Sequence, residues 1–338
     1  LRIAVLCDKT LVPPTDLTGK SETEIASFRT ELDVITALRE LGHEVEPIGV
    51  HDDLGALRDA LLSNKPHVAF NLLEGFRDYH GFDQHVVSFL ELLDQNYTGC
   101  NPRGLTIARD KALTKKIMSY HRIRVPAFAV FPKGRKIHRP ARLQFPLLIK
   151  SVNVEGSVGI SQASIVHDDE KLRERVQYIH EALGTTAIAE QFIEGREIYV
   201  GIFGNKRLQT LPAWELVFEN APPEMPVVAT EHAKWNLNYQ KRWGITTRKA
   251  DYLTSQQHRE LSKLSERIYR VLGLTGYARM DYRLTPAGEI YLLEANPNPN
   301  IAKEEDFALS AKTAGMSYED VLQKIINLAL RYHPQSMG

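Results

Sequence analysis

The sequence predicts an α/β domain built on a parallel sheet, followed by two α+β lobes. Two patterns carry this. Over residues 1–104, apolar runs of strand length alternate with amphipathic segments of helical length, as expected for parallel strands joined by helices. From residue 105 onward the alternation gives way to short strands, a glycine-containing loop and one long hairpin, with amphipathic helices between them. A chain of 338 residues is long enough for two or three such units and a substantial core.

In the first unit, Leu1–Cys7 is a buried-strand run, Glu31–Leu41 an amphipathic helix closed by Gly42, and Glu44–Val50 a second strand. Leu54–Leu62 reads as helix, Val68–Leu72 as strand and Phe82–Leu93 as helix. Thr18-Gly19-Lys20-Ser21 imitates the end of a phosphate loop. Pro14 stands where that motif needs its first glycine and the segment lies too far from the strand, so the assignment is rejected.

A helix over Thr106–Tyr120 carries Arg109, Lys111, Lys115 and Lys116, and strands are expected at Phe128–Phe131 and Pro146–Lys150. The second strand ends in Lys150 and opens into Ser151 through Gly159, which contains Gly156, Ser157 and Gly159. Small residues let backbone N–H groups approach phosphate oxygens and the lysine adds charge; a plain glycine hairpin with a solvated lysine reads the same way. Leu172–Leu183 is helical. Thr186–Phe192 is a strand that runs through Ile193-Glu194-Gly195-Arg196-Glu197 into a further strand, Ile198–Phe203. That connection offers backbone bonds to a flat heterocycle and Glu197 to ribose hydroxyls, or is simply a hinge with an exposed acid. From Arg207 to about residue 252 the pattern is irregular. Gln256–Leu272 is a strongly amphipathic helix, and Phe307–Ala314 and Tyr318–Tyr332 are helices at the end of the chain.

Between them lies a hairpin with strands Tyr277–Leu284 and Glu289–Glu294 around the turn Thr285-Pro286-Ala287-Gly288. If Leu284 sits across from Glu289, then Arg279 faces Glu294 and Asp281 faces Leu292. Asp281 and Glu294 become diagonal neighbours about 7 to 8 Å apart at Cβ, close enough for two carboxylates to hold one hard cation. Asn296 continues the row if the strand extends that far, with Met280, Tyr282, Tyr291 and Leu293 on the other face. An ordinary cross-strand ion pair is the competing account. The position of Glu294-Ala295-Asn296 at a strand end, ahead of Pro297-Asn298-Pro299, favours the metal site.

The 42 basic and 42 acidic residues balance, which argues against a general affinity for nucleic acid or an anionic membrane. Cys7 and Cys100, the only cysteines, read as reduced thiols. No apolar run approaches membrane-spanning length, so a soluble cytoplasmic protein is expected.

In order along the chain stand Lys111, Lys150, the Glu-Gly-Ser-x-Gly loop, Glu190 through Glu197, Lys234, Arg279-x-Asp281 and Glu294-x-Asn296. The series resembles the ATP-grasp superfamily, and within it the D-alanine–D-alanine ligases, over nearly the whole chain. The resemblance implies a Rossmann-like pre-ATP-grasp domain at 1–104, a central ATP-grasp lobe at 105–192 and a C-terminal lobe at 193–338, with ATP between the lobes. It implies that Lys111 and Lys150 contact the α- and β-phosphates beneath Gly156, Ser157 and Gly159. Glu190 and the backbone at Gln191 and Ile193 would meet adenine, Glu197 the ribose and Lys234 the γ-phosphate. Asp281, Glu294 and Asn296 would bind two Mg²⁺ ions, and Arg279 would stabilise the anionic intermediate.

The implied reaction is attack of a substrate carboxylate on the γ-phosphorus, then of an amine on the acyl phosphate, with ADP and phosphate released. Ser21 through Ser27 resembles the family's segment whose first glutamate approaches the substrate ammonium, which implies that role for Glu22. The acceptor side departs from the family: Pro299 through Asp306 replaces a Pro-Gly-Met-Thr run and a later serine, and Trp235 replaces a tyrosine. Lys303 is the expected partner of an acceptor carboxylate. The substrates are expected to be a small carboxylate and an amine, amino acids in kind, with a ligase for L-amino acids or another pair as one alternative and a nucleotide-binding regulatory protein without turnover as another. A homodimer through the N-terminal lobe is implied only by the resemblance.

Overall fold

The structure, a computed structural model, describes residues 1–154, 157–222 and 225–334. In the first unit β1 (Arg2–Asp8), β2 (Glu44–Val50) and β3 (Val68–Asn71) form a parallel sheet in the order β2-β1-β3. The helices of this unit are α1 (Glu22–Ser27), α2 (Arg29–Glu40), α3 (Leu54–Asn64) and α4 (Asp83–Leu92). A capping box fixes the start of α1: the Ser21 hydroxyl accepts from the Glu24 amide while the Glu24 carboxylate accepts from the Ser21 amide. Buried positions of α2 include Glu31, Val34, Ile35 and Leu38, the spacing of a core-facing helix stripe. Glu31 is therefore an acid at an apolar position.

The expected single helix over Thr106–Tyr120 is two, α5 (Pro102–Arg109) and α6 (Lys111–Tyr120). Asn101 with Pro102 behind it starts α5 early, and Asp110 leaves the helical region at φ −86°, ψ 98°. The Asp110 carboxylate then accepts from the Leu113 amide at 2.8 Å, so Lys111 is the first residue of a new helix.

The central lobe is an antiparallel sheet, ordered β4-β7-β5-β6, of β4 (Phe128–Phe131), β5 (Leu147–Ser151), β6 (Ile165–Val166) and β7 (Ala187–Gln191), with α7 (Asp169–Ala182) on one face. Leu172, Val176 and Ile179 of α7 pack on Leu147, Ile149 and Ala189.

The third unit contains β8 (Arg196–Gly204), β9 (Leu208–Thr210), β10 (Trp214–Phe218), α8 (Glu231–Trp235), α9 (Leu237–Trp243), β11 (Ile245–Lys249), α10 (Ser255–Val271), β12 (Tyr277–Leu284), β13 (Ile290–Pro297), α11 (Asp306–Thr313) and α12 (Tyr318–Ala329). Its sheet runs β11-β10-β8-β12-β13, with β9 also paired to β8. Ile3, Val34 and Phe70 of the first unit share one apolar cluster with Phe203, Phe307 and Ile325 of the third, which anchors the parallel sheet to the back of this lobe. Gly276 lies where a Cβ would come 2.4 Å from the carbonyl oxygen of Gly99, so only glycine allows this approach. Beside it the Cys100 amide donates to Asn298 Oδ1 at 2.8 Å, which ties the end of β13 to the first unit.

The hairpin register differs from expectation. Leu284 pairs with Ile290, because the turn takes up one more residue, and a bulge then makes Leu293 an extra residue, so that Tyr282 pairs with Leu292 but Asp281 with Glu294. Arg279 consequently faces Asn296, and Glu294 lies directly across from Asp281 rather than diagonally. Each one-residue shift would move the acids to the other face; together they restore it. Leu293, expected on the opposite face, lines the cleft instead.

Candidate active site

The cleft lies between the central and third units. β12 and β13 bring the first set of groups to it. Arg279 holds Asp281 in a two-pronged pair, Nε to Oδ1 at 2.7 Å and Nη2 to Oδ2 at 2.9 Å, and Asn296 Nδ2 donates to the same Oδ2 at 2.8 Å. The other side of the guanidinium, Nη1, donates to both oxygens of Asp306 at 3.1 and 2.9 Å. Its Cζ lies 4.5 Å from the Tyr199 ring centre. Burial pushes the Asp281 carboxyl up to about 6 against the pull of Arg279. Glu294 behaves oppositely: burial would raise it, but Lys111 and Lys150 together hold it at about 2.

Three lysines frame Glu294 and Glu190. Lys111 Nζ lies 2.9 Å from Glu294 Oε1 and donates to the Val154 carbonyl at 2.9 Å. Lys150, at the end of β5, lies 3.1 Å from Glu190 Oε1, and Lys115 Nζ lies 3.3 Å from Oε2. Lys115 also donates to the Leu293 carbonyl at 2.9 Å, so one buried ammonium connects α6, β7 and the bulge that sets Glu294. Burial lowers its pKa to about 8, with Lys150 adding to the effect and Glu190 opposing it. Glu190 Oε1, although close to Lys150, is a buried oxygen without a hydrogen-bond partner among the described residues. It suits an added donor such as an exocyclic amine.

Glu197 on β8 is buried. Its oxygens take the Arg283 guanidinium and the Tyr199 hydroxyl, each at 3.0 Å. Arg283 in turn donates to the carbonyls of Gly195 and Val227. The glycine loop is fastened across the cleft: the Gly159 amide donates to Glu231 Oε2 at 2.7 Å, Glu231 N to the Ile160 carbonyl at 2.9 Å, and Arg175 donates to the Gly159 carbonyl. Glu231 opens α8, which carries Lys234 into the cleft.

The fold thus brings Lys150, Ser157, Glu190, Ile193, Glu197, Lys234, Asp281 and Glu294 to one cleft. Lys111, Arg279 and Asn296 join through the pairs above, and Gly159 through Glu231. Gln191 stands beside Glu190, but its N–H is committed to the Ala127 carbonyl at 2.7 Å. Gly156 lies outside the described residues. Glu22 is exposed on the first turn of α1 and forms no ion pair or hydrogen bond with the cleft groups among the described residues. Lys303, expected to face a substrate carboxylate, is exposed, and its backbone amide donates to Asp33 at 3.0 Å.

Sequence reasoning missed Lys115, Arg283 and Asp306. Lys115 stands one helical turn after Lys111, which is a usable signal once Lys111 is suspected. Arg283 stands two residues after Asp281 on the same strand face. Asp306 carries no signal, since a first-turn acid on a helix is commonplace.

In the first unit, on α2, Glu31 is 5% exposed and forms no bond to another side chain among the described residues. Burial, with Glu74 and Asp8 nearby, pushes its carboxyl from 4.5 up to about 7. Between those values the folded protein keeps a proton that the unfolded chain has released, so this contribution to stability is full below pH 4.5 and is lost as pH rises through 7. Glu31→Gln is expected to be more stable than the parent by about 2 kcal/mol at pH 8 and to show no gain at pH 4, read from denaturant melts. A variant equal to the parent at both pH values contradicts this account of Glu31.

The oxygens of Asp281, Glu294 and Asn296 are the hard donors that Mg²⁺ requires, placed at a strand end. The described residues contain no group of three or more His, Cys, Asp and Glu side chains able to hold a metal, so a cation here would need the Asn296 amide oxygen and further oxygens from a bound ligand or water. Glu190 Oε1, which lacks a hydrogen-bond partner among the described residues, and the ammoniums of Lys111 and Lys150 are groups that fit a nucleotide.

The family model described as D-ala D-ala ligase C-terminus matches residues 117–327. The D-alanine–D-alanine ligases of Syntrophotalea carbinolica and Aquifex aeolicus are each 30% identical to this chain; the alignments cover 91% of it in both cases, and 92% and 97% of those proteins. Among solved structures it resembles the D-alanine–D-alanine ligase from Bacillus anthracis complexed with ATP, at 25% identity and a TM-score of 0.75, over 98% of this chain and 97% of that one. No helix among the described residues is long and apolar enough to cross a membrane.

Proposed function

The chain belongs to the D-alanine–D-alanine ligase family, and we infer that it is an ATP-dependent ligase that joins a small carboxylate to an amine and releases ADP and phosphate. The observation that carries this reading is the convergence of Lys111, Lys150 and Lys234 with Asp281 and Glu294 around one cleft. Separate cations for phosphate and separate acids for a metal are what phosphoryl transfer needs.

Lys111 and Lys150 receive the α- and β-phosphates, beneath the loop that carries Ser157 and Gly159. Adenine sits on Glu190 and the backbone near Ile193, where the orphaned Glu190 oxygen takes its amine. Glu197, steadied by Arg283 and Tyr199, faces the ribose. Two Mg²⁺ ions, held by Asp281, Glu294 and Asn296, supply charge neutralisation to the phosphates when bound. Lys234 orients the γ-phosphate for attack by the substrate carboxylate, and Arg279 stabilises the charge that collects on the acyl phosphate and its tetrahedral successor. The limits 1–104, 105–192 and 193–338 for the three units belong to the same proposal.

The names of the relatives make D-alanine the first substrate to try. ADP release from Mg-ATP is measured across D- and L-amino acids, singly and in pairs. Release that depends on a carboxylate and exceeds that of Glu294→Ala is expected; release from no member of the panel, with ATP still bound tightly, would point to a nucleotide-binding protein without turnover.

A further inference from the structure

We propose that Lys115 is a positioning residue for nucleotide binding: it keeps Glu190 paired, so that Lys150 can leave that carboxylate for a phosphate. The inference rests on the ligase reading, in which Lys150 receives a phosphate and Glu190 the adenine amine, and deepens it.

Two lysines share one acid but not one environment. Lys150 Nζ lies 3.1 Å from Glu190 Oε1 and Lys115 Nζ lies 3.3 Å from Oε2. Across the β5–β7 pair, Leu148 stands opposite Glu190 and Lys150 opposite Ile188, so Lys150 and Glu190 are diagonal neighbours on one face of the sheet. Both line the cleft. Lys115 comes instead from α6 and is not among the residues that line it. Its side chain is 1% exposed, and its ammonium is anchored by the Leu293 carbonyl at 2.9 Å.

The two contacts therefore differ in what a ligand can do to them. Glu190 Oε1 accepts no directed hydrogen bond, so its attraction to Lys150 is one of charge alone. A phosphate entering the cleft competes with Glu190 for Lys150. Were Lys150 the only cation on Glu190, its departure would strand a carboxylate that is 2% exposed, and a buried acid without a counter-charge is strongly unfavourable. Lys115 removes that obstacle. It stays on Oε2 while Lys150 moves, and Oε1 is left as an acceptor for the amine of the base. One sealed ammonium thus serves both ends of the nucleotide without touching either.

A role confined to joining α6 to β13 through the Leu293 carbonyl would not depend on the charge of Glu190. Removing that charge separates the two. Binding of Mg-ADP is measured by calorimetry in the parent, Lys115→Met, Glu190→Gln and the double variant. Lys115→Met is expected to weaken Mg-ADP by about twentyfold or more when Glu190 is present, because Lys150 is then retained by the acid. In the Glu190→Gln background the same substitution is expected to change the dissociation constant by no more than about threefold. Equal factors in the two backgrounds overturn the inference and leave the ligase reading standing. A parent protein that does not bind Mg-ADP sinks the ligase reading, and this inference with it. If Lys115→Met does not fold, the double variant, which strands no acid, is compared with Glu190→Gln alone. A loss beyond about tenfold in that comparison overturns the inference, and near-equality upholds it.

Discussion

Glu294→Gln is expected to lower kcat for carboxylate-dependent ADP formation by roughly 10³-fold, the scale seen when a group that meets developing charge is removed. The substitution keeps the side-chain volume and removes the charge. In the present structure that charge sits 2.9 Å from Lys111 and is held ionised to about pH 2, so it is available as a ligand at any working pH. Lys111 then loses its carboxylate but keeps the Val154 carbonyl. The effect should therefore fall on turnover and on the Mg²⁺ concentration required, while metal-free ATP binding, followed by calorimetry, changes only severalfold. A kcat within tenfold of the parent would remove Glu294 from the metal set.

Arg279→Met is the second large effect, and it acts on stability as well as rate. One guanidinium pairs two buried acids, Asp281 and Asp306, so its removal leaves both uncompensated. Breaking one side of a buried ion pair costs about 3–5 kcal/mol, and a fall in melting temperature on the order of 5–10 °C is expected. Turnover should drop by at least about 10²-fold. The double substitution Arg279→Met with Asp306→Leu separates the two consequences. Removing the stranded acid should recover a large part of the stability and none of the rate. Recovery of the rate would mean that Arg279 is needed only to hold the fold.

The first unit was legible because its strands and helices carry one periodicity each, and burial of one face suffices to produce it: α2 with Val34, Ile35 and Leu38 is an example. The composition of the hairpin face that carries Arg279, Asp281, Glu294 and Asn296 was also legible, although its register was not. Turn length and bulge each displaced the pairing by one residue in the same direction, and the alternation of side chains preserved the face through both. The break at Asp110 was missed because Lys111 through Tyr120 continues the helical pattern and only the capping geometry distinguishes two helices from one. Residues 207–252 were opaque for a different reason. Their helices α8 and α9 are five and seven residues long, and β11, ITTRK, is mostly exposed, so none presents a buried stripe long enough to read. Lys115 and Asp306 have meaning only through partners far away in sequence, Glu190 with the Leu293 carbonyl and Arg279 respectively. Glu22 lies on the exposed first turn of α1, and its assignment rests on the resemblance of its segment alone.

An acyl phosphate intermediate is revealed by following the carboxylate oxygen. With the activated carboxylate labelled with ¹⁸O and Mg-ATP present, attack on the γ-phosphorus transfers one carboxylate oxygen to phosphate, and collapse to the amide releases it there. One ¹⁸O per phosphate formed is expected, by mass spectrometry, in step with amide formation and absent in Glu294→Gln. Phosphate without label, formed at the same rate as the amide, would mean that the carboxylate is not phosphorylated and would contradict the account.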